Sequence, residues 1–197
     1  MKILTWNCNG AFRKKFHLLD RFEADVFVIQ ECEDPSHIKG DYVDWTQNHL
    51  WVGKNKNKGL GVFSKLDFPL RDLGWDNDNL ELFLTCQVTQ ELKLLAVWTK
   101  QPTSHEFAYI GQLWKYLRLH QARIANGDVI ICGDFNSNKI WDKKGRLWNH
   151  TNVVQVLETI GLISLYHACK QEVQGCESNP TLYMQRNVSK PYHIDYA

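Results

Sequence analysis

The sequence has no excess of charge of either sign that would point to a binding partner. Its 23 lysine and arginine residues are balanced by 22 aspartate and glutamate residues, which leaves a formal net charge of +1. This balance excludes a histone-like or polybasic protein, because such proteins bind through a large positive excess. Hydrophobic residues make up 44% of the chain, which is ordinary for a globular protein and too apolar for a disordered one. The length of 197 residues fits a single domain, expected over residues 1–197.

Long apolar runs are absent as well. The best candidate, residues 92–98, already contains Lys93, whereas a membrane span needs about 18 apolar residues. The N-terminus becomes polar at Thr5, too early for the apolar region of about 7–15 residues in a signal peptide. We therefore expect a cytoplasmic protein without a membrane partner.

The cysteines do not form a C-x-x-C pair anywhere in the sequence. Four of the six, Cys8, Cys32, Cys86 and Cys132, lie in or beside apolar runs. That placement favours buried free thiols, and the spacing is not that of a zinc site. Free thiols are typical of a reducing compartment, which agrees with a cytoplasmic location.

Hydrophobic periodicity predicts a mixed α/β chain. Helices are expected over residues 12–22, from a capping box at Thr103-Ser104-His105-Glu106 to Asn126-Gly127, and over 151–160. Residues 42–98 lack a helical period and predict an antiparallel meander. Strand-like runs are predicted at residues 2–6, 26–30, 50–52, 60–64, 80–88, 92–98, 129–132, 163–166, 181–185 and 192–196. This order requires helices on the faces of a sheet system.

Polar side chains follow four of the apolar runs. They are Asn7, Glu31, Asp134 with Asn136, and Asp195. Taken singly, each fits a turn or a solvated strand end; together they favour a site, because strand ends can converge in one crevice. Oxygen ligands suit Mg²⁺ or Mn²⁺ and offer zinc little. Without a nucleophilic serine or cysteine box, the set favours metal-assisted hydrolysis over acyl-enzyme chemistry.

Five sequence boxes carry a family resemblance. They are Trp6-Asn7-Cys8-Asn9-Gly10, Ile29-Gln30-Glu31, Gly59-Leu60-Gly61-Val62-Phe63-Ser64-Lys65, Gly133-Asp134-Phe135-Asn136 and His193-Ile194-Asp195-Tyr196. In this order they resemble the endonuclease/exonuclease/phosphatase superfamily, which includes exonuclease III, apurinic endonucleases and pancreatic-type deoxyribonuclease. The resemblance implies a four-layer α/β sandwich with two packed mixed β-sheets flanked by helices.

The resemblance also implies a role for each strand-end residue. Glu31 corresponds to the main ligand of Mg²⁺ (or Mn²⁺), with Asn7 beside it. Asp134 corresponds to the residue that orients or deprotonates the attacking water, and Asn136 to a hydrogen-bond donor to the phosphate or the aspartate. Asp195 corresponds to the carboxylate that orients a catalytic histidine. Phosphodiester hydrolysis needs such a base together with positive charge on the phosphate oxygens.

The sequence departs from the family pattern at two points. Trp98 stands where nuclease members often carry a tyrosine, and an indole cannot form a phenolate. We expect Trp98 and Lys100 to contact the substrate, with Lys100 able to supply charge instead of the phenolate. The family's closing Asp-His box should lie beyond Asp195, so we expect a protein longer by roughly 20–40 residues and low turnover without that segment. His193 and His167 are the first alternatives for the role of the histidine in that Asp-His box. A structural, hydrogen-bonded role is the favoured interpretation of both.

A cluster of basic and aromatic residues follows the Gly133–Asn136 box. Its members are Lys139, Trp141, Lys143, Lys144, Arg146 and Trp148. Such a loop could straddle a phosphate backbone and stack a base, but a solvated loop with two packed indoles fits equally well.

The function expected from the sequence is a Mg²⁺-dependent phosphodiesterase of monomeric form with nucleic acid as its substrate. Three alternatives remain, of which a structural adaptor of unrelated function has the least support. A phosphatase acting on a small phosphorylated or lipid headgroup fits the near-zero net charge. A catalytically impaired nucleic-acid-binding module fits Trp98 and the missing histidine.

Overall fold

The computed structural model describes residues 1–101 and 107–197. Two compact units can be distinguished by their internal contacts. The first unit comprises Met1–Trp98 and Asp128–Asp134, and the second comprises Thr99–Gly127 and Phe135–Ala197. The capping box predicted at residues 103–106 lies outside the described residues.

The first unit is built on mixed β-sheets. Its strands are β1 (Ile3–Asn7), β2 (Val26–Cys32), β3 (His49–Asn55), β4 (Lys58–Ser64), β5 (Arg71–Asp72), β6 (Phe83–Gln87), β7 (Lys93–Trp98) and β8 (Val129–Asp134). One sheet has the order β1-β2-β4-β3, and the other contains β8-β7-β6-β5 in that order. The pairs β1/β2 and β7/β8 are parallel, and the other pairs are antiparallel. The predicted α/β fold with mixed sheets is confirmed.

The continuous apolar run of β2 is explained by burial on both of its faces. Val26 and Val28 belong to a core shared with residues of the other sheet, such as Leu94. Phe27 and Ile29 point the other way, into an aromatic core. That second core holds residues from the loops and short helices of this unit: Cys8, Phe12, Leu19, Ala24 and Tyr42.

The helix predicted over residues 12–22 is wrong in type. The structure has 3-10 helices at Phe12–Lys14 and Phe16–Phe22, interrupted at Lys15, whose φ is −127°. The Lys15 ammonium donates to the carbonyls of Cys8 and Gly10 at 2.6 and 2.8 Å. These hydrogen bonds stabilise the break between the two 3-10 helices. A short helix that the periodicity did not indicate, α1, spans Asp41–Trp45.

The predicted meander is antiparallel, but its strands are divided between the sheets. Strands β3 and β4 pair in one sheet, whereas β5, β6 and β7 are consecutive in the other. The chain therefore changes sheets between β4 and β5.

The second unit contains the longer helices and several short strands. Its elements are α2 (Ile110–Ala125), α3 (His150–Thr159), α4 (Leu165–Lys170), β9 (Leu182–Tyr183), β10 (Pro191–Tyr192) and β11 (Asp195–Tyr196). The predicted end of α2 at Asn126-Gly127 is confirmed, as is α3 to within one residue. The predicted start of α2 is wrong over the described residues, because the helix begins at Ile110 and the left-handed φ values of Phe107 and Tyr109, 55° and 53°, are not helical. The strand predicted at 163–166 is wrong, because Leu165 begins α4. The His167 ring bonds to the Ser164 hydroxyl at 2.9 Å, a spacing of three residues that suits a helical turn.

The four cysteines predicted to be buried are buried free thiols. Burial raises the pKa of Cys86 and of Cys132 to about 12, so both remain neutral and unreactive. Over the described ranges, no helix has both the length and the apolar character needed to cross a membrane.

Candidate active site

The carboxyl ends of β1 and β8 and the end of β2 bring three of the predicted residues together. The Asn7 carboxamide Nδ2 donates to Asp134 Oδ2 at 2.9 Å and to Glu31 Oε1 at 3.4 Å. Parallel pairing of β1 with β2 aligns Asn7 with Gln30, the residue before Glu31. A single amide therefore links two carboxylates at the edge where parallel strands end.

The orientation of Asn7 is set by the loop that follows it. Its Oδ1 accepts a hydrogen bond from the backbone N–H of Asn9 at 3.0 Å. Because the oxygen is engaged there, the amide nitrogen is the atom that faces the carboxylates. Asn9 has a φ of 52°, in the left-handed region that asparagine tolerates better than most residues. The turn that was the alternative interpretation of Asn7 taken alone is therefore present, and it positions the Asn7 side chain.

Glu31 occupies a β-bulge. Gln30 pairs with Leu60 and Cys32 with Gly59, which leaves Glu31 as the extra residue of β2. Its φ is 64°, a left-handed conformation that costs a non-glycine residue about 1–3 kcal/mol. The side chains on either side of it are fully buried, whereas the Glu31 side chain is 16% exposed. The bulge therefore leaves the Glu31 carboxylate partly exposed between two buried neighbours.

Gly133 allows β8 to pair closely with β7 directly before Asp134. The φ of Gly133 is 145°, and a Cβ atom there would lie 1.9 Å from the Val97 carbonyl oxygen of the paired strand β7. Only glycine permits this approach. Asp134, the next residue, is 1% exposed, and a carboxylate this buried needs hydrogen-bond donors such as the Asn7 amide.

Sequence reasoning missed one charged residue of this site, Lys58. Its Nζ lies 2.9 Å from Glu31 Oε2 and 5.7 Å from the centre of the Trp98 ring. The contact depends on the hairpin register that pairs Asn55 with Lys58, which the sequence does not reveal. The one available signal was its position directly before the Gly59 box.

Trp98, predicted to contact substrate, is buried in the core between the sheets and pairs in register with Asp134. A substrate contact by Trp98 stays a prediction. In the second unit, the backbone N–H of Lys100 donates to Gln112 Oε1 at 3.0 Å. The role of the Lys100 ammonium also stays a prediction.

Asn136 and Asp195 belong to the second unit. Asn136 has a φ of 45°, and its Nδ2 donates to the Thr99 carbonyl at 2.8 Å. Burial raises the pKa of the Asp195 carboxyl above its ordinary value, with the Thr181 hydroxyl and His193 acting in the opposite direction. Within residues 1–101 and 107–197, Asp195 Oδ1 is a buried atom without a hydrogen-bond partner. Their catalytic roles stay predictions.

The two alternative histidines are hydrogen-bonded, as their favoured interpretation requires. His167 bonds to the Ser164 hydroxyl at 2.9 Å and to Glu177 Oε1 at 3.2 Å. His193 Nδ1 donates to the Asn179 carbonyl at 2.8 Å. Its Nε2 is buried and, in the described part of the chain, has no partner.

The basic and aromatic loop has packed rings and exposed lysines. The Trp141 ring lies 4.9 Å from that of Tyr192. The Arg146 guanidinium lies 4.5 Å from the Trp148 ring and donates to Asn149 Oδ1 at 2.7 Å. The remaining basic residues of the loop are exposed: Lys139, Lys143 and Lys144. The indoles therefore have partners within the unit, and nucleic-acid contact by the lysines stays a prediction.

The Glu31 carboxylate suits a hard divalent cation, whereas the Asn7 nitrogen that faces it is a hydrogen-bond donor and not a ligand. Among the residues that the structure describes, no group of three or more histidine, cysteine, aspartate or glutamate side chains could hold a metal ion. Mg²⁺ does not need such a cage, since it is usually held by one or two carboxylates, waters and substrate phosphates. In the structure the Glu31 carboxylate is paired with the Lys58 ammonium at 2.9 Å.

A sequence profile of the Endonuclease/Exonuclease/phosphatase family matches residues 4–189. The chain belongs to this family. Of the five boxes quoted above, three lie at the end of β1, at the bulge of β2 and at the end of β8, and the box at residues 59–65 forms most of β4. No curated protein matches the chain significantly.

Solved structures of similar fold agree with membership of the family. A 3′ phosphatase (NExo) from Neisseria, bound to product DNA hairpin, has a TM-score of 0.68 and 16% identity, covering 100% of this chain and 85% of that one. An AP endonuclease from Archaeoglobus fulgidus has a TM-score of 0.64 and 16% identity, with coverages of 100% and 85%. Humanized TDP2 from D. rerio has a TM-score of 0.61 and 17% identity, with coverages of 98% and 80%. At these identities the likeness concerns the fold.

Proposed function

We propose that this family member is a divalent-metal-dependent phosphoesterase that hydrolyses phosphodiester bonds in nucleic acid. The observation that carries the proposal is the Asn7 carboxamide, which joins the Glu31 and Asp134 carboxylates at 3.4 and 2.9 Å. Two carboxylates fixed at rigid strand ends provide a cation ligand and a base, the two groups that hydrolysis by water requires.

Each residue has a separate task in the proposed reaction. Glu31 would hold Mg²⁺ or Mn²⁺, which would supply positive charge to the phosphate oxygens. Asn7, whose oxygen accepts from the Asn9 N–H, would position the Glu31 carboxylate through its Nδ2. Asp134 accepts the proton of the attacking water, and its strand position keeps the carboxylate in one place. Asn136, two residues further along the chain, hydrogen-bonds to the phosphate. Asp195 would orient a histidine that contacts the phosphate.

Nucleic acid is favoured over a small phosphoester by two observations. The loop after the Gly133–Asn136 box exposes Lys139, Lys143 and Lys144, whose charges can neutralise backbone phosphates. The similar structures include a phosphatase bound to a DNA hairpin and an AP endonuclease. Because one of these structures is a 3′ phosphatase, a terminal phosphomonoester of a nucleic acid is a second candidate substrate.

A substrate panel tests the proposal. Purified protein is incubated with an abasic duplex, a single-stranded DNA, an RNA, a 3′-phosphorylated oligonucleotide and bis-p-nitrophenyl phosphate, each with Mg²⁺, with Mn²⁺ or with a chelator. We expect metal-dependent hydrolysis of at least one polynucleotide, slowed about 10²–10⁴-fold in Asp134→Asn. Hydrolysis confined to the small phosphoester would contradict the substrate class. No hydrolysis with any substrate would contradict the enzymatic function and favour the binding module.

A further inference from the structure

Lys58 has no task in the proposed reaction, although its ammonium touches the proposed cation ligand. Its Nζ lies 2.9 Å from Glu31 Oε2, on the opposite oxygen from the one that Asn7 contacts. The same nitrogen lies 5.7 Å from the centre of the Trp98 ring. The ammonium is thus placed between a carboxylate and an aromatic face, both of which attract cations.

The backbone position of Lys58 is fixed by strand pairing. Lys58 is the first residue of β4 and pairs with Asn55 across the β3/β4 hairpin. The next residue, Gly59, pairs with Cys32 beside the bulge that carries Glu31. Hairpin and bulge therefore place the ammonium and the carboxylate side by side.

The exposure of Lys58 makes the contact breakable. Its side chain is 51% exposed, whereas that of Glu31 is 16% exposed. A half-exposed ion pair is weak, and the flexible lysine stem can carry the charge into solvent at little cost. Glu31 cannot follow, because the bulge holds its backbone.

We infer that Lys58 is an internal counter-cation of Glu31 that competes with the divalent ion for this carboxylate and sets the affinity of the site. This inference rests on the proposed function, since it concerns the same cation ligand. While the ammonium is in place, it neutralises Glu31 and keeps the carboxylate in its bulge conformation. A divalent ion must displace it, so the wild-type site binds metal less tightly than its oxygen ligands alone would.

The test is Mn²⁺ titration by calorimetry without substrate. We expect Lys58→Met to bind Mn²⁺ about 3–10-fold more tightly than wild type, because a positive charge next to the ion is removed. Lys58→Arg keeps the charge and should retain wild-type affinity to within about twofold. Lys56→Met removes one charge from the turn of the same hairpin and is the matched control, with an expected change under about twofold. The gain in Lys58→Met should shrink at high salt.

A double variant links the gain to Glu31. In the Glu31→Gln background, Lys58→Met should leave Mn²⁺ affinity unchanged, because the contested carboxylate is gone. Lys58→Gln serves as a second neutral variant, and thermal unfolding verifies that each protein is folded.

The outcomes separate this inference from the proposed function. If Lys58→Met and Lys58→Gln bind Mn²⁺ no more tightly than wild type while Glu31→Gln loses binding, the inference is wrong and the metal site stands. A gain equal to that of Lys56→Met would also overturn it, because bulk charge would explain the effect. If none of these proteins binds Mn²⁺, both the inference and the proposed metal site are wrong.

Discussion

Replacement of Gly133 by alanine should destabilise the protein strongly, because β7 and β8 approach each other too closely for a side chain there. The added Cβ would lie 1.9 Å from the Val97 carbonyl oxygen, 2.9 Å from its carbon and 3.0 Å from its nitrogen. All three are backbone atoms, so no side-chain rotation can relieve the clash. The φ of +145° adds conformational strain of its own.

The size of the effect follows from these two contributions. Strain in a backbone region that non-glycine residues avoid costs about 1–3 kcal/mol. Forcing extra volume into a packed sheet costs about 1–3 kcal/mol more. We expect a total of about 3–5 kcal/mol, which at a urea m-value of about 2 kcal/mol/M lowers the midpoint by roughly 2 M.

Urea unfolding followed by tryptophan fluorescence measures this loss, and Gly74→Ala is the matched control. Gly74 has a φ of +58°, and a Cβ added there would meet no atom within 4 Å. This control carries the conformational strain alone, with an expected cost of about 1–2 kcal/mol. The reasoning fails if Gly133→Ala loses no more stability than Gly74→Ala. Because Asp134 follows Gly133, hydrolysis should fall as well in Gly133→Ala.

Three further substitutions have expected outcomes of different kinds. Asp134→Asn keeps the shape of the side chain but removes the base, so turnover should fall about 10²–10⁴-fold while substrate affinity is retained; unchanged turnover would remove Asp134 from the chemistry. Glu31→Gly should be more stable in urea unfolding than Glu31→Gln by about 1 kcal/mol, because only glycine relieves the left-handed strain, and both should lose Mn²⁺ binding. Burial raises the pKa of Asp195, so the folded protein binds this proton more readily than the unfolded chain, and the stability it contributes is lost as pH rises above about 4. The melting temperature of Asp195→Asn minus that of wild type should therefore be larger at pH 7 than at pH 4. An equal difference at the two pH values would show that the pKa of Asp195 is not raised by folding.

The strand-end pattern of the sequence was sufficient to find the core of the candidate site. Asn7, Glu31 and Asp134 each follow an apolar run, and the parallel pairs β1/β2 and β7/β8 explain why such ends meet. The long, regular periodicity of α2 also predicted this helix and its end, although the helix begins later than the spacing indicates, at Ile110. These features are local in the sequence, or follow from general rules of sheet topology.

Features that depend on register or on side-chain contacts could not be predicted. The Lys58 contact requires the pairing of β3 with β4, and the exposure of Glu31 requires a bulge in β2. The apolar spacing of residues 12–22 suits an α-helix, but the Lys15 ammonium binds two loop carbonyls and interrupts it. Short apolar runs do not separate strand from helix, which is why residues 163–166 were assigned wrongly.

The central claim is that Glu31 and Asp134 form a metal-dependent hydrolytic site. It is tested most directly by single-turnover cleavage of a labelled oligonucleotide, with Mn²⁺ varied from zero to saturation, in wild type, Glu31→Gln and Asp134→Asn. We expect cleavage that requires Mn²⁺, that needs a much higher Mn²⁺ concentration in Glu31→Gln, and that stays about 10²–10⁴-fold slower in Asp134→Asn at every concentration. Cleavage that proceeds without a divalent ion, or that neither substitution slows, would show that these carboxylates do not form a metal-dependent hydrolytic site.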